Sequence, residues 1–165
     1  IERVRMWRAR PPAEAESAQA PADEVPGRTE LHVVLQLGDK LCGHPEYVHG
    51  GLLSAVFDEV FGWCASMEKD ATPGNKAAKI FTANLDVNYR RPVPKNGAYL
   101  VKCRVERVVR NKKVYLTGVW CDPTGNVLTE STSLYIITGT HGTRLAQEPG
   151  PAEQAAAARA VAPAA

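Results

Sequence analysis

The stretch VHGGLLSAVFDEVFGWCASM, residues 48–67, is the longest apolar run in the chain, and its reading decides the fold. From Gly51 to Met67 it has the length and composition of a helix. Leu52, Leu53, Val56, Val60, Phe61, Trp63, Cys64 and Met67 cover most of its circumference. A helix that is apolar nearly all round is a central one, wrapped by other structure. Two adjacent acids, Asp58 and Glu59, interrupt it. A core helix rarely holds an acid without a partner or a task, because burying an unpaired charge is costly.

Outward from the helix, the chain turns to strands. On its N-terminal side, residues 30–37 (ELHVVLQL) alternate Leu31, Val33, Leu35 and Leu37 against Glu30, His32, Val34 and Gln36, which predicts a strand with one apolar face. Residues 38–48 read as a loop punctuated by Gly38, Gly43 and Pro45. Beyond the helix, residues 68–78 are a polar loop with a Pro73-Gly74 turn. Residues 79–89, 98–109, 113–121 and 127–138 then read as four strands. In the first of these, Ile80, Thr82, Asn84, Asp86 and Asn88 fall on one face, opposite Phe81, Ala83, Leu85, Val87 and Tyr89. The connectors at 110–112 and 122–126 are short enough for antiparallel hairpins. The predicted class is α+β: a curved antiparallel β-sheet wrapped around one long central helix.

The ends read differently. Residues 1–8 are basic and amphipathic, with Val4 and Trp7 spaced for one helical face, and are expected to be the remnant of a longer helix. Residues 9–29 carry Pro11, Pro12, Pro21 and Pro26 and read as a linker, so 1–29 is expected to be a mostly disordered arm. Residues 30–140 form the domain, and 141–165 an Ala/Pro-rich tail. Because the chain begins at Ile1, an upstream targeting segment is compatible with it.

Bulk properties exclude several classes. A net charge of +2 over 165 residues creates no strong global field toward nucleic acid. No charge-free apolar run reaches the roughly 18 residues of a membrane span. Cys42, Cys64, Cys103 and Cys121 form no C-x-x-C pair, which predicts free thiols in a reducing, intracellular compartment, cytoplasmic or mitochondrial, and no metal site.

Three features suggest chemistry. Gly50 and Gly51 open the helix, where free N–H groups and the positive end of the dipole suit a developing oxyanion; they equally allow a tight loop-to-helix turn. Asp58 lies seven residues beyond Gly51, on the same face but about 10 Å along the axis. One carbonyl cannot touch both. If both act on one bond, a second helix must run roughly antiparallel beside the first, so the spacing predicts a symmetric dimer with two shared sites. Glu59, turned about 100° away, is expected to be a salt-bridge partner. The third feature is basic charge: residues 90–113 hold nine Lys or Arg against the single acid Glu106, suited to phosphates or to a solvated strand face. Arg90, Arg91, Lys112 and Lys113 stand at strand ends, where phosphates can reach.

The element order resembles the hotdog fold. His49-Gly50-Gly51 followed by Asp58 resembles the acyl-CoA thioesterases of that fold. Thr82-Ala83-Asn84-Leu85, with Tyr89-Arg90-Arg91-Pro92-Val93-Pro94, is similar to the T-A-N-L-x-x-x-Y-[KR]-R-P-x-P stretch of the thioesterase superfamily members that act on long-chain acyl-CoA. Glu130-Ser131-Thr132-Ser133-Leu134-Tyr135-Ile136 is also like theirs. The resemblance implies hydrolysis of a medium- or long-chain fatty acyl-CoA by a homodimer or dimer of dimers, with no cofactor beyond the CoA of the substrate. It gives Asp58 the role of general base or nucleophile, the Gly51 N–H that of oxyanion donor, and Thr82 that of helper hydroxyl. His49, Gly50 and Asn88 join the basic residues as substrate contacts. One departure stands out. Several relatives carry Asn or Gln six residues before the His, where this chain has Gly43; the neighbouring His44 is the expected substitute. Two alternatives remain open: a hotdog hydratase, disfavoured because no His follows Asp58 before His141, and a non-catalytic acyl-thioester-binding module.

Overall fold

The computed structural model describes residues 1–9 and 23–139. The long helix, α1 (Gly50–Ala71), lies against an antiparallel sheet. In chain order the strands are β1 (Arg3–Ala9), β2 (Glu24–Pro26), β3 (Glu30–Gln36), the short hairpin β4 (Cys42–His44) and β5 (Tyr47–Val48), then β6 (Lys79–Tyr89), β7 (Ala98–Val109), β8 (Lys113–Cys121) and β9 (Val127–Thr138). The large sheet runs β1-β3-β7-β8-β9-β6, with β2 continuing beside β7 below β3.

The core forms where the apolar faces of β3, β7, β8 and β9 meet α1. Leu31, Val33 and Leu35 alternate inward as their spacing requires. Phe57 stacks on Phe61 with centroids 5.6 Å apart and meets the edge of Trp120 at 6.1 Å. All three are fully buried. Gly118 on β8 makes this possible: a Cβ there would stand 2.9 Å from the Phe61 ring.

The helix is not enclosed. Gly51, Ala55, Glu59 and Trp63 form an exposed stripe along it, while Leu53, Val56, Phe57, Val60, Phe61, Cys64 and Ala65 are buried. It also outlasts the expected end at Met67. Glu68 and Lys69, assigned to a polar loop, are buried in its last turn because each finds partners: the Arg28 N–H donates to Glu68 at 3.0 Å, and Lys69 donates to the Lys76 carbonyl at 3.0 Å.

Two further expectations are corrected. The segment expected as a helical remnant is strand β1, paired to β3 from Arg3↔Gln36 to Ala9↔Glu30, and β2 also joins the sheet. The edge of β3 offered backbone groups that an amphipathic eight-residue segment satisfies better as a strand than as an isolated helix. The sheet thus extends into the stretch assigned to the arm; residues 10–22 of that arm and the 141–165 tail lie outside the described residues. The second correction is on β6. Thr82 pairs with Tyr135 but Asn84 with Leu134, so Ala83 is an extra residue at a bulge. A bulge shifts the alternation by one. Thr82 therefore shares the helix-facing side with Leu85, Val87 and Tyr89, and not with Asn84, Asp86 and Asn88.

Candidate active site

Asp58 sits in the middle of α1 on the border of its open stripe, half-buried. The bulge on β6 aims the Thr82 hydroxyl at it, and Thr82 Oγ1 donates to Asp58 Oδ1 at 2.9 Å. A second hydroxyl reaches the same oxygen. Tyr135 Oη, from β9, lies 2.8 Å from Oδ1 and 2.6 Å from the Asp58 carbonyl oxygen. Thr82 donates to Oδ1, the single Tyr135 hydrogen is shared between Oδ1 and the nearer Asp58 carbonyl oxygen, and among the described residues none donates to Oδ2. The carboxylate is thus clamped through one oxygen and presents the other. Burial raises the Tyr135 phenol above its ordinary value; Thr82 pulls the other way, and the hydrogen bond and charge of Asp58 add to the rise. At neutral pH the phenol is a donor, as the geometry needs.

Tyr135 was not singled out from sequence. The available signal was the alternation Ser131, Ser133, Tyr135 on an inward strand face, polar side chains aimed at a helix that carries an acid. Ser131 and Ser133 spend their hydroxyls on the Asp86 and Asn84 carbonyls of β6, at 2.7 and 2.6 Å. Tyr135 alone of the three reaches the helix carboxylate. Glu59 does not pair with a strand arginine; it accepts from Trp63 Nε1 one turn on, at 2.6 Å.

The helix N-terminus forms the second centre. His49 is its N-cap, with extended backbone (φ −64°, ψ 130°), and its Nδ1 accepts from the Gly51 N–H at 2.9 Å. The Gly50 carbonyl accepts from Tyr89 Oη at 3.0 Å, and Tyr89 Oη is 2.6 Å from Ser54 Oγ. Tyr89 thereby joins the end of β6 to the first turn of α1. His44 is exposed on the β4–β5 hairpin, and among the described residues its ring makes no hydrogen bond.

The basic residues divide. Arg90 and Arg91 follow Tyr89, at the same end of the sheet as His49, and both their N–H groups donate to the Leu128 carbonyl at 2.9 Å. Arg90 is paired with Glu130 at 2.8 Å. Lys112 and Lys113 belong to the β7–β8 turn at the opposite end, where Asn75, beyond the helix C-terminus, donates to the Asn111 carbonyl at 3.0 Å. One chain does not bring the two pairs together. Asn88 is also separate: it donates to Asp86 at 2.9 Å, on the sheet face turned away from the helix. The expected substrate contacts are thus spread over two ends and two faces of the chain.

Residues 46–127 match the family model of the thioesterase superfamily. The rat acyl-coenzyme A thioesterase THEM4 is 26% identical over 103 residues, which are 62% of this chain and 41% of that protein. A Saccharomyces cerevisiae protein named as an uncharacterized mitochondrial membrane protein, FMP10, is 31% identical over 101 residues, 61% of this chain and 39% of its own length. The chain thus spans about two fifths of the curated relatives it matches. Among solved structures, a thioesterase superfamily protein at 25% identity superposes with a TM-score of 0.54 over 65% of this chain and 48% of that one. A Streptococcus pneumoniae hypothetical thioesterase solved with coenzyme A shares the fold at 14% identity, with a TM-score of 0.63 over 86% of this chain and 91% of its own.

Proposed function

From a chain whose residues 46–127 match the thioesterase superfamily and which has the hotdog fold, we propose hydrolysis of a fatty acyl-CoA, of medium or long chain, to the free acid and CoA. The observation that supports it most is the Asp58 carboxylate, clamped by Thr82 and Tyr135 and half-open to the surface. Its free oxygen takes a proton from water as the water oxygen bonds to the thioester carbon, or attacks that carbon directly to form a mixed anhydride with Asp58, which water then hydrolyses to the free acid, restoring the carboxylate. On either route the C–S bond breaks, and a proton passes to the leaving thiolate. No cofactor is needed beyond the CoA that arrives with the substrate. The name of the rat relative supports the substrate class, and the pneumococcal structure with coenzyme A supports a hotdog scaffold receiving that group.

The carbonyl is polarised at the N-terminus of α1, near Gly51. Since that turn and Asp58 are about 10 Å apart along one helix, the working unit is a homodimer, alone or paired into a dimer of dimers, whose sites each take Asp58 from one chain and the Gly51 turn from the other. Two features of the single chain favour it. The exposed stripe Gly51, Ala55, Glu59 and Trp63 runs along α1, and β6 is an eleven-residue edge strand, mostly exposed and without proline. An open edge of that length is a template for pairing. In a two-fold pair the Lys112-Lys113 end of one chain comes toward the Arg90-Arg91 end of the other, which suits a molecule as long and as phosphate-rich as CoA. The free thiols of Cys42, Cys64, Cys103 and Cys121 fit an intracellular setting, and the yeast relative's name favours mitochondria within it. Among the described residues no helix is long and apolar enough to cross a membrane.

The test is thiol release from a panel of acyl-CoAs by wild type and Asp58→Asn. A loss of about 10²-fold or more in the variant, with assembly unchanged, is expected for a proton-transfer group. Equal rates would remove Asp58 from the chemistry. No release from any acyl-CoA would favour the acyl-thioester-binding module.

A further inference from the structure

Strand β1 is the edge of the large sheet opposite β6, and every side chain from Arg3 to Arg8 is exposed. The register sorts them by face. Val4 and Met6 stand opposite Leu35 and Val33, on the helix side, while Arg3, Arg5 and Trp7 stand opposite Gln36, Val34 and His32, on the outer side. Leu35 and Val33 are buried, yet Val4 is 52% and Met6 40% exposed, so the cover given by α1 stops at β3. Trp7 is 45% exposed and is held edge-on to His32, with ring centroids 5.9 Å apart. The strand is therefore a ridge open on both faces.

Three arginines interleave with these apolar groups. Among the described residues none of Arg3, Arg5 and Arg8 forms an ion pair. The acid beside them, Glu2, is turned toward Gly38, where a Cβ would stand 2.6 Å from its Oε1. Arginines alone would be ordinary protection of an open sheet edge. That role does not call for a valine, a methionine and a tryptophan in the same place. Exposed apolar side chains grouped in this way mark an interaction surface.

The two-sided exposure selects the partner. A protein partner that covers one face of an edge strand, or pairs with its open backbone, leaves the apolar groups of the other face wet. A lipid surface closes around both. Its headgroup region takes an indole and aliphatic side chains together, and arginines reach from there to anionic headgroups. We propose that β1 is a docking ridge for an anionic lipid surface, with Val4, Met6 and Trp7 entering the boundary between headgroups and acyl chains and Arg3, Arg5 and Arg8 meeting the headgroups. Pairing of two chains through β6 leaves this ridge free, because β1 lies at the other end of the sheet. The inference goes beyond the thioesterase reading and does not depend on it.

The closing experiment sediments the full chain with lipid vesicles. Wild type is expected to bind vesicles of equimolar phosphatidylcholine and phosphatidylserine, to bind phosphatidylcholine alone about 10-fold more weakly or less, and to be released as salt is raised. Replacing the arginines together (Arg3→Gln, Arg5→Gln and Arg8→Gln) should weaken binding to the mixed vesicles by on the order of 10²-fold, since each arginine near such a surface contributes several-fold. Val4→Thr with Met6→Thr, which keeps strand-forming side chains, should weaken binding at low and high salt alike. Insertion is read on wild type: lipids brominated on their acyl chains should quench tryptophan fluorescence, and Trp7→Phe should abolish that quenching although Trp63 and Trp120 remain. Equal binding to the two vesicle types would overturn the proposal, and so would full binding by the triple arginine variant. Quenching that persists in Trp7→Phe would overturn it by placing the contact elsewhere. Capture of polyglutamate without vesicle binding would overturn it in favour of an acidic polypeptide. The salt dependence of wild type and the Trp7 quenching decide the matter even if a multiple variant fails to fold. None of these readouts needs acyl-CoA, so their failure and a failure of thiol release are separate results.

Discussion

At the scale of single residues, the carboxylate of Asp58 was legible and its supports were only partly so. An acid inside an apolar helix declares a need, and Thr82 lay in a recognisable run. The contact between them depends on the Ala83 bulge, which strict alternation cannot place: from spacing alone, Thr82 belongs with Asn88. Tyr135 was hidden for a related reason, since an inward tyrosine in an apolar strand reads as core until the helix register brings Asp58 beneath it. The two hydroxyls share one oxygen, so their effects should not add. Thr82→Ala and Tyr135→Phe are each expected to lower kcat with KM nearly unchanged, and Tyr135→Phe to cost about 1 kcal/mol of stability. The double variant should lose less than the product of the two single losses, because the first deletion already frees the carboxylate to turn. Steady-state kinetics on the four proteins of the cycle checks this, and strict multiplicativity would mean that the clamp is not a unit.

At the scale of elements, periodicity carried β3 and the four later strands, because their apolar residues alternate against a buried helix. It failed where partners, and not pattern, decide. β1 is a strand because β3 has an edge to fill, and the last turn of α1 continues through Glu68 and Lys69 because the Arg28 N–H and the Lys76 carbonyl await them. Neither partner is visible in a local window. The packing of α1 on the sheet concentrates at Gly118, where β8 passes over Phe61. Gly118→Ala introduces a Cβ at 2.9 Å from an aromatic ring that is itself fully buried between Phe57 and the sheet. The ring has little room to give, so overpacking should destabilise by about 1–3 kcal/mol. Urea unfolding would show it as a lower midpoint at unchanged m-value. A neutral result would mean that α1 lifts from the sheet without cost.

At the scale of the whole molecule, one chain holds the parts of the proposed site without bringing them together. His49 and Gly51 are at one end of α1, Asp58 two turns along, and the basic pairs at opposite ends of the sheet. The open helix stripe and the open edge of β6 lie beside these parts, so a dimer paired through them would also join the two halves of the proposed site. This is why the dimer could be argued from a spacing of seven residues, while which basic residues share a phosphate could not. The arrangement makes a quantitative demand on mixed dimers. Asp58→Asn removes one half of each site. Gly51→Pro removes the N–H that holds His49 and crowds its ring, which removes the other half, in a first helical turn where proline is tolerated. Each variant alone should be inactive. Unfolded together and refolded at equal concentrations, half of the dimers are mixed, and each mixed dimer has one site with both residues native. About a quarter of wild-type thiol release should return if the sites are shared across a two-fold axis. Sites contained within single chains would return none, because every chain in the mixture carries a defect. Sedimentation of the refolded mixture as dimers, with no recovered activity, would therefore place Asp58 and the Gly51 turn in sites held within single chains.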